Sequence, residues 1–109
     1  MNFKVGKFKF LDKTLEISKT PLENALVFDG DKILCSAVIR TKRDGDIFKK
    51  FGGGTKKLKD YLIDKKIPRA NRDELPLLAV ENNVLLIFGV EISDDIKVTE
   101  STTNTLYAK

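Results

Sequence analysis

Apolar and basic positions alternate through residues 2–11, NFKVGKFKFL, with Phe3 and Val5 on one parity and Phe8 and Phe10 on the other. The change of parity beside Gly6 predicts either one bulged strand or two short strands. Asp12-Lys13 reads as a turn, after which Leu15 and Ile17 mark one face of a strand ending near Ser18, before Thr20-Pro21. The apolar run Ala25–Phe28, the Asp29-Gly30-Asp31 turn and the run ILCSAVIR from Ile33 to Arg40 predict a hairpin. From Thr41 to Gly54 the periodicity stops, and Ile47, Phe48 and Phe51 are expected to pin an ordered loop to the core.

Helical spacing follows. Thr55 is placed to cap a helix that runs to Lys65 or Lys66 and that Pro68 stops. At about 100° per residue, Leu58, Tyr61 and Leu62 share the side expected to face the core, with the stem of Lys65 among them. Lys59 and Lys66 flank Ile63 on another side, and Asp60 lies within helical reach of Lys56 and Lys57. Residues 68–75, PRANRDEL, predict a tight turn or one short helical turn. Pro76 then launches LLAV, divided by Asn82-Asn83 from VLLIFGV, a second hairpin apolar enough to be buried on both faces at the centre of a sheet. Gly89 marks a bulge or a close approach of backbones, and IKV (96–98) and TLY (105–107) read as short strands. The class is α+β: one domain over residues 1–109, a small β-rich fold of short, mostly antiparallel strands with one principal helix at about 55–66.

Composition narrows the chemistry. The chain is 41% hydrophobic and 33% charged, as globular proteins are. No apolar run approaches the ~20 residues of a membrane span, and the start MNFKVGKFKF has no signal-peptide core, so a cytosolic protein is expected. The single cysteine, Cys35, sits in an apolar run and is expected to be a buried thiol. Histidine is absent, which removes Ser/His and Cys/His nucleophile pairs, His-containing zinc sites and the usual general base. No catalytic residue, metal ligand or cofactor site is assigned.

Charge is what singles out one stretch. Residues 40–72 hold twelve Lys and Arg against four Asp, whereas the rest of the chain holds eight basic and twelve acidic residues. Like charges repel, and exposed ion pairs contribute only ~0–1 kcal/mol each, so such a patch is read as a functional surface. Within it, Gly52-Gly53-Gly54 followed by Thr55-Lys56-Lys57 at a helix start suggests a phosphate cradle; the alternative is a flexible turn beside a solubilising helix end. It is not a nucleotide P-loop, which needs GxxxxGK[ST]. Arg40, Lys42 and Arg43 precede Asp44-Gly45-Asp46, whose carboxylates are placed to orient one guanidinium toward a planar partner or simply to form a salt-bridged turn. A divalent ion at Asp44 and Asp46 is disfavoured by these basic neighbours. Lys65, Lys66, Arg69 and Arg72 make a third cluster, in which Arg69 and Arg72 share a face only if their turn is helical; Arg72 is equally suited to tie the turn to Asp73 or Glu74. Phe48, Phe51 and Tyr61 all fit core-facing roles, so phosphate contacts on a double helix are favoured over stacking of single strands.

The ordered combination IRTKRDGDIF, GGGTKKLKDYLIDKKIPRANRDELPLL and IFGV resembles the C-terminal domain of bacterial tRNA(Ile)-lysidine synthetase, closely over about Val38–Val90. The resemblance implies a fold related to a domain of phenylalanyl-tRNA synthetase and a role in gripping the acceptor stem of a minor isoleucine tRNA. The family's enzyme uses ATP and magnesium in a separate N-terminal domain with an SGGxDS loop to attach lysine to the wobble cytidine. This chain has no such loop and is expected to be non-catalytic, either as a fragment or as a free-standing relative. By position, Arg40, Arg43, Lys56, Lys57, Lys59, Arg69 and Arg72 match the family's basic pattern, while Lys42, Lys49 and Lys50 find no clear match. Lys65 and Lys66 join these seven as nucleic-acid-binding candidates, with Gly52, Gly53, Gly54 and Thr55 as the phosphate loop. Two other classes stay open: a domain capturing a phosphorylated metabolite at Gly52–Lys57, and a protein-docking domain whose basic face meets an acidic partner.

Overall fold

Alternation is obeyed where a strand has one buried face. The computed structural model describes residues 1–109, and in it β1 (Gly6–Phe10) pairs antiparallel with β2 (Lys13–Ser18), burying Phe8, Leu15 and Ile17 on one side. Gly6, at φ +133°, is where the parity changes, so the strand starts there and Phe3 packs against the core from outside it. β3 (Leu26–Asp29) lies at one edge of the same sheet, whose order is β1-β2-β10-β3 with β10 (Thr105–Ala108) antiparallel to both its neighbours.

The second sheet is assembled from the middle of the chain. β4 (Val38–Arg40), β5 (Ile47–Lys49), β6 (Thr55–Lys57), β7 (Leu77–Val80) and β8 (Asn83–Ile87) run in the order β4-β7-β8-β5-β6, and β9 (Glu91–Ile92) pairs the far end of β8. The β7–β8 hairpin is central, as its apolar character predicts. Only β5 and β8 are parallel. Alternation splits β7 cleanly, with Leu77 and Ala79 on one face and Leu78 on the other. In β8 the register shifts between Leu78 and Ala79 of its partner, and this bulge puts both Leu85 and Leu86 on one face.

Three layers result. One core of 14 buried residues, including Phe28, Ile39, Leu86 and Leu106, fills the space between the sheets. A second, of 8 residues, lies on the opposite face of the larger sheet, where Leu58, Tyr61 and Leu62 of α1 (Leu58–Asp64) cover Phe48, Leu77 and Ile87. α2 (Arg69–Arg72), a single turn, follows. No helix is long and apolar enough to cross a membrane.

Four expectations are corrected. β3 and β4 do not form a hairpin, because Phe28 and Ile39 enter the intersheet core from different sheets and the intervening chain must cross the layers. The Asp-Gly-Asp turn is a 3-10 turn at Gly30–Lys32 in which the Asp29 carboxylate accepts the Asp31 amide at 3.0 Å. Cys35 lies in the crossing segment and is exposed. Residues 96–98 are not a strand: Ser93 caps a 3-10 turn at Asp94–Ile96, driven by burial of Ile96. Gly89 turns the chain from β8 to β9, at φ +79° with open space around it, so no backbone approaches there.

Candidate nucleic-acid interface

The helix expected from Thr55 begins three residues later, at Leu58. Thr55–Lys57 extend instead as β6, because Ile47, Phe48 and Lys49 pair with them antiparallel and satisfy the backbone of a sheet edge. Gly52-Gly53-Gly54 therefore turns a β5–β6 hairpin, and all three have positive φ (+85°, +81° and +122°). A Cβ on Gly52 or Gly53 would meet nothing within 4 Å, so backbone conformation selects glycine here. The phosphate cradle at a helix start is thereby corrected: Lys56 and Lys57 precede the helix, and the Leu58 amide already donates to the Asp46 carbonyl at 2.9 Å.

Arg40 occupies the interior, only 7% exposed. Its guanidinium grips the Asp46 carboxylate with two bonds of 2.9 and 2.8 Å and donates to the carbonyls of Thr41 (2.9 Å) and Glu81 (2.7 Å). Those donors are spent inside the protein, which removes Arg40 from the open basic face. Asp46 in turn accepts the Arg43 amide at 2.7 Å and the Asn82 side chain at 3.1 Å. Burial pushes the Asp46 carboxyl up, but the Arg40 and Asn82 side chains, the Arg43 amide and the Arg40 charge together hold it below its ordinary 3.8. The pair fastens the 41–46 loop against the start of α1 and so sets where Arg43 and Lys57 stand.

Neighbouring residues on a strand point to opposite sides, and β6 sends Lys57 to one side of α1 and Lys56 to the other. On the Lys57 side, a cleft of about 320 Å³ runs between the Arg43–Asp46 loop and the helix start, with Lys42 and Lys59 in its walls. A second, shallower cleft of about 520 Å³ continues it, lined by the same Lys42 and Lys59 together with Ile63, Arg69 and Arg72. α2 is helical, so Arg69 and Arg72 do share a face. Lys42 is held by Asp73 at 3.0 Å, whereas Arg43, Lys57, Lys59, Arg69 and Arg72 have no carboxylate partner. Arg72 thus does not tie its turn to Asp73 or Glu74.

The Lys56 side differs. Lys56 pairs with Asp64, not with Asp60, and Lys65 stands 5.6 Å over the Tyr61 ring. Tyr61 itself packs on Phe48 with ring centroids 4.5 Å apart, and burial followed by the Glu91 carboxylate pushes its phenol above 10.0. Phe51, expected in the core, is instead 48% exposed at the hairpin tip. Lys66 lines neither side; it closes α1 at φ +59°, its amide bonding the Ile63 carbonyl and that of Ile67 the Leu62 carbonyl.

The basic stretch therefore converges on the two flanks of one helix, less Arg40, Lys66 and Lys49, which pairs with Asp95. Lys42, which with Lys59 lines both clefts of the first flank, is absent from the sequence-based candidates because β4 ends at Arg40 and strand alternation cannot be carried past it.

Comparison with known proteins gives this surface a context. The profile of the TilS substrate C-terminal domain matches residues 37–107. A tRNA(Ile)-lysidine synthase of Caldanaerobacter subterraneus subsp. tengcongensis is 42% identical over 107 residues, covering 94% of this chain and 22% of that protein. That of Clostridium tetani is 43% identical over 83 residues, covering 75% of this chain and 18% of its own length. The chain thus spans about a fifth of the length of these curated relatives. A crystal structure of a TILS C-terminal domain shares the fold with a TM-score of 0.64 at 26% identity, over 87% of this chain and 79% of that one. On sequence and on fold alike, this chain belongs to the TilS substrate C-terminal domain family, the C-terminal domain of tRNA(Ile)-lysidine synthase.

Proposed function

We propose that this chain is the tRNA-recognition domain of a cytoplasmic tRNA(Ile)-lysidine synthase and that it grips the acceptor stem of its tRNA. One observation carries the reading: two continuous clefts share Lys42 and Lys59 and bring Arg43, Lys57, Arg69 and Arg72 to one open side without carboxylate partners. Such cations gain little from the protein itself, and each phosphate they neutralise releases condensed counterions. In this reading the domain does no chemistry. ATP, magnesium and the transfer of lysine belong to an N-terminal catalytic domain of the same enzyme.

The test is binding of tRNA(Ile) by the 109-residue chain at several salt concentrations. Affinity that falls steeply as salt rises supports the reading, and affinity indifferent to salt overturns it. A metabolite site at Gly52–Lys57 has lost its physical basis, because those glycines turn a hairpin and those lysines precede the helix.

A further inference from the structure

Phe51 stands out among the aromatic residues: it is half exposed, at the tip of a hairpin whose next three residues are glycines at positive φ. The exposed half of this ring gains nothing from burial. It borders a cleft of about 460 Å³ between the hairpin and α1, whose walls include Lys50, Lys56, Tyr61 and Lys65. Asp64 is neutralised there by Lys56, and Lys65 is steadied over the Tyr61 ring, which leaves Lys50 and Lys65 as the cations free to meet an anion, with Glu91 at the margin.

The two flanks of α1 thus differ in kind. The Lys57 flank presents cations, two exposed carboxylates (Asp44 and Asp73) and aliphatic side chains (Ile47, Leu58 and Ile63), with no aromatic ring, which suits the phosphates of paired RNA. The Lys56 flank has fewer free cations but adds the half-exposed ring of Phe51. Unpaired bases are bound by stacking on aromatic side chains with lysines nearby for the backbone, whereas bases within a duplex have no free face to offer.

We propose that the cleft between the β5–β6 hairpin and α1 binds an unpaired nucleotide of the RNA, its base stacked on Phe51 and its phosphate met by Lys50 and Lys65. The site deepens the tRNA-binding reading and rests on it, since the Lys57 flank is what that reading offers to the adjoining paired RNA.

The experiment compares an RNA hairpin with a blunt stem against the same stem carrying a four-nucleotide single-stranded 3′ extension, using the whole chain. Expected is about tenfold tighter binding of the extended RNA. Phe51→Ala should abolish that difference while leaving blunt-stem affinity unchanged, and Phe51→Trp should preserve it. Phe51 is half exposed and belongs to neither buried core, so folding is not at risk. Equal affinity for the two RNAs with salt-sensitive binding to both, or an unchanged ratio in Phe51→Ala, overturns this inference and leaves the tRNA-binding reading standing. Binding of neither RNA, or binding insensitive to salt, overturns both.

Discussion

Arg40 and Asp46 form a two-pronged ion pair inside the protein, at 2.8 and 2.9 Å, with side chains 7% and 1% exposed. Through it the end of β4, the Arg43–Asp46 loop, the β7–β8 turn and the first amide of α1 are joined at one point. A basic residue that belongs by sequence to the charged stretch therefore serves to place its neighbours.

Removing one partner leaves the other charged and unmatched in the interior. Asp46→Ala is expected to destabilise the fold by about 3–5 kcal/mol, and Arg40→Ala by a similar amount. The double variant should cost much less than the sum, since it strands no charge. Urea denaturation of the three variants measures this, and additive losses would show that the pair is not the cause.

The same carboxylate makes stability depend on acid. Its folded-state value is lowered from 3.8, so the stability it confers is complete above the unfolded value and is lost as pH falls through the lower folded one. Wild type should therefore lose stability below about pH 4 more steeply than Asp46→Asn. Thermal melts between about pH 2 and about pH 7, which bracket the ordinary carboxylate range, give both curves, and parallel curves would remove Asp46 from the explanation.

Lys66 holds the left-handed position that ends α1, which glycine fills without strain. Lys66→Gly should stabilise the fold by about 1 kcal/mol, within the ~1–2 kcal/mol penalty of a left-handed L-residue. Because Lys66 lines neither flank, RNA affinity should change little. A loss of RNA binding in this variant would place Lys66 in the interface after all.

Gly30 is packed from the other direction. A Cβ there would lie 2.6 Å from Leu106 Cδ1 and 2.8 Å from its Cγ, in the core between the sheets. Gly30→Ala is expected to destabilise by about 1–3 kcal/mol through overpacking. Gly53→Ala meets no atom and would act only through its φ, so equal losses at the two sites would discount the steric account.

Lys59 lines both clefts of the proposed duplex face, whereas Lys49 is paired with Asp95 at 3.1 Å and lines neither. Lys59→Ala should weaken RNA binding and reduce the slope of log affinity against log salt by roughly 0.7–0.9, the share of one phosphate contact. Lys49→Ala should leave the slope unchanged. Equal slopes for all three proteins would mean that the basic face is not where the phosphates lie.

Period and punctuation carried much of this fold. Alternation at Leu15 and Ile17, the apolar hairpin around Asn82-Asn83 and the helical spacing of Leu58, Tyr61 and Leu62 each report a buried face, and burial is what selects those residues. The signals that failed were local ones with two solutions. A Gly-Gly-Gly-Thr-Lys-Lys string suits a helix start or a hairpin, and only pairing of Thr55–Lys57 with β5 decided for the hairpin. An Asp-Gly-Asp turn suits a hairpin or a crossing between sheets, and only the opposite placement of Phe28 and Ile39 decided for the crossing.

By itself the sequence determined the class of the fold, buried faces such as Leu15 with Ile17 and Leu58 with Tyr61 and Leu62, and the concentration of positive charge between Arg40 and Arg72, because side-chain chemistry and spacing are properties of the chain alone. Which cations face water was decided only by tertiary structure. Arg40 is withdrawn by Asp46, Lys56 and Lys57 are parted to opposite flanks of α1, and Phe51 is left in solvent at a hairpin tip. Each of those outcomes depends on a partner distant in sequence or on a sheet pairing, and no local pattern encodes where such a partner will stand.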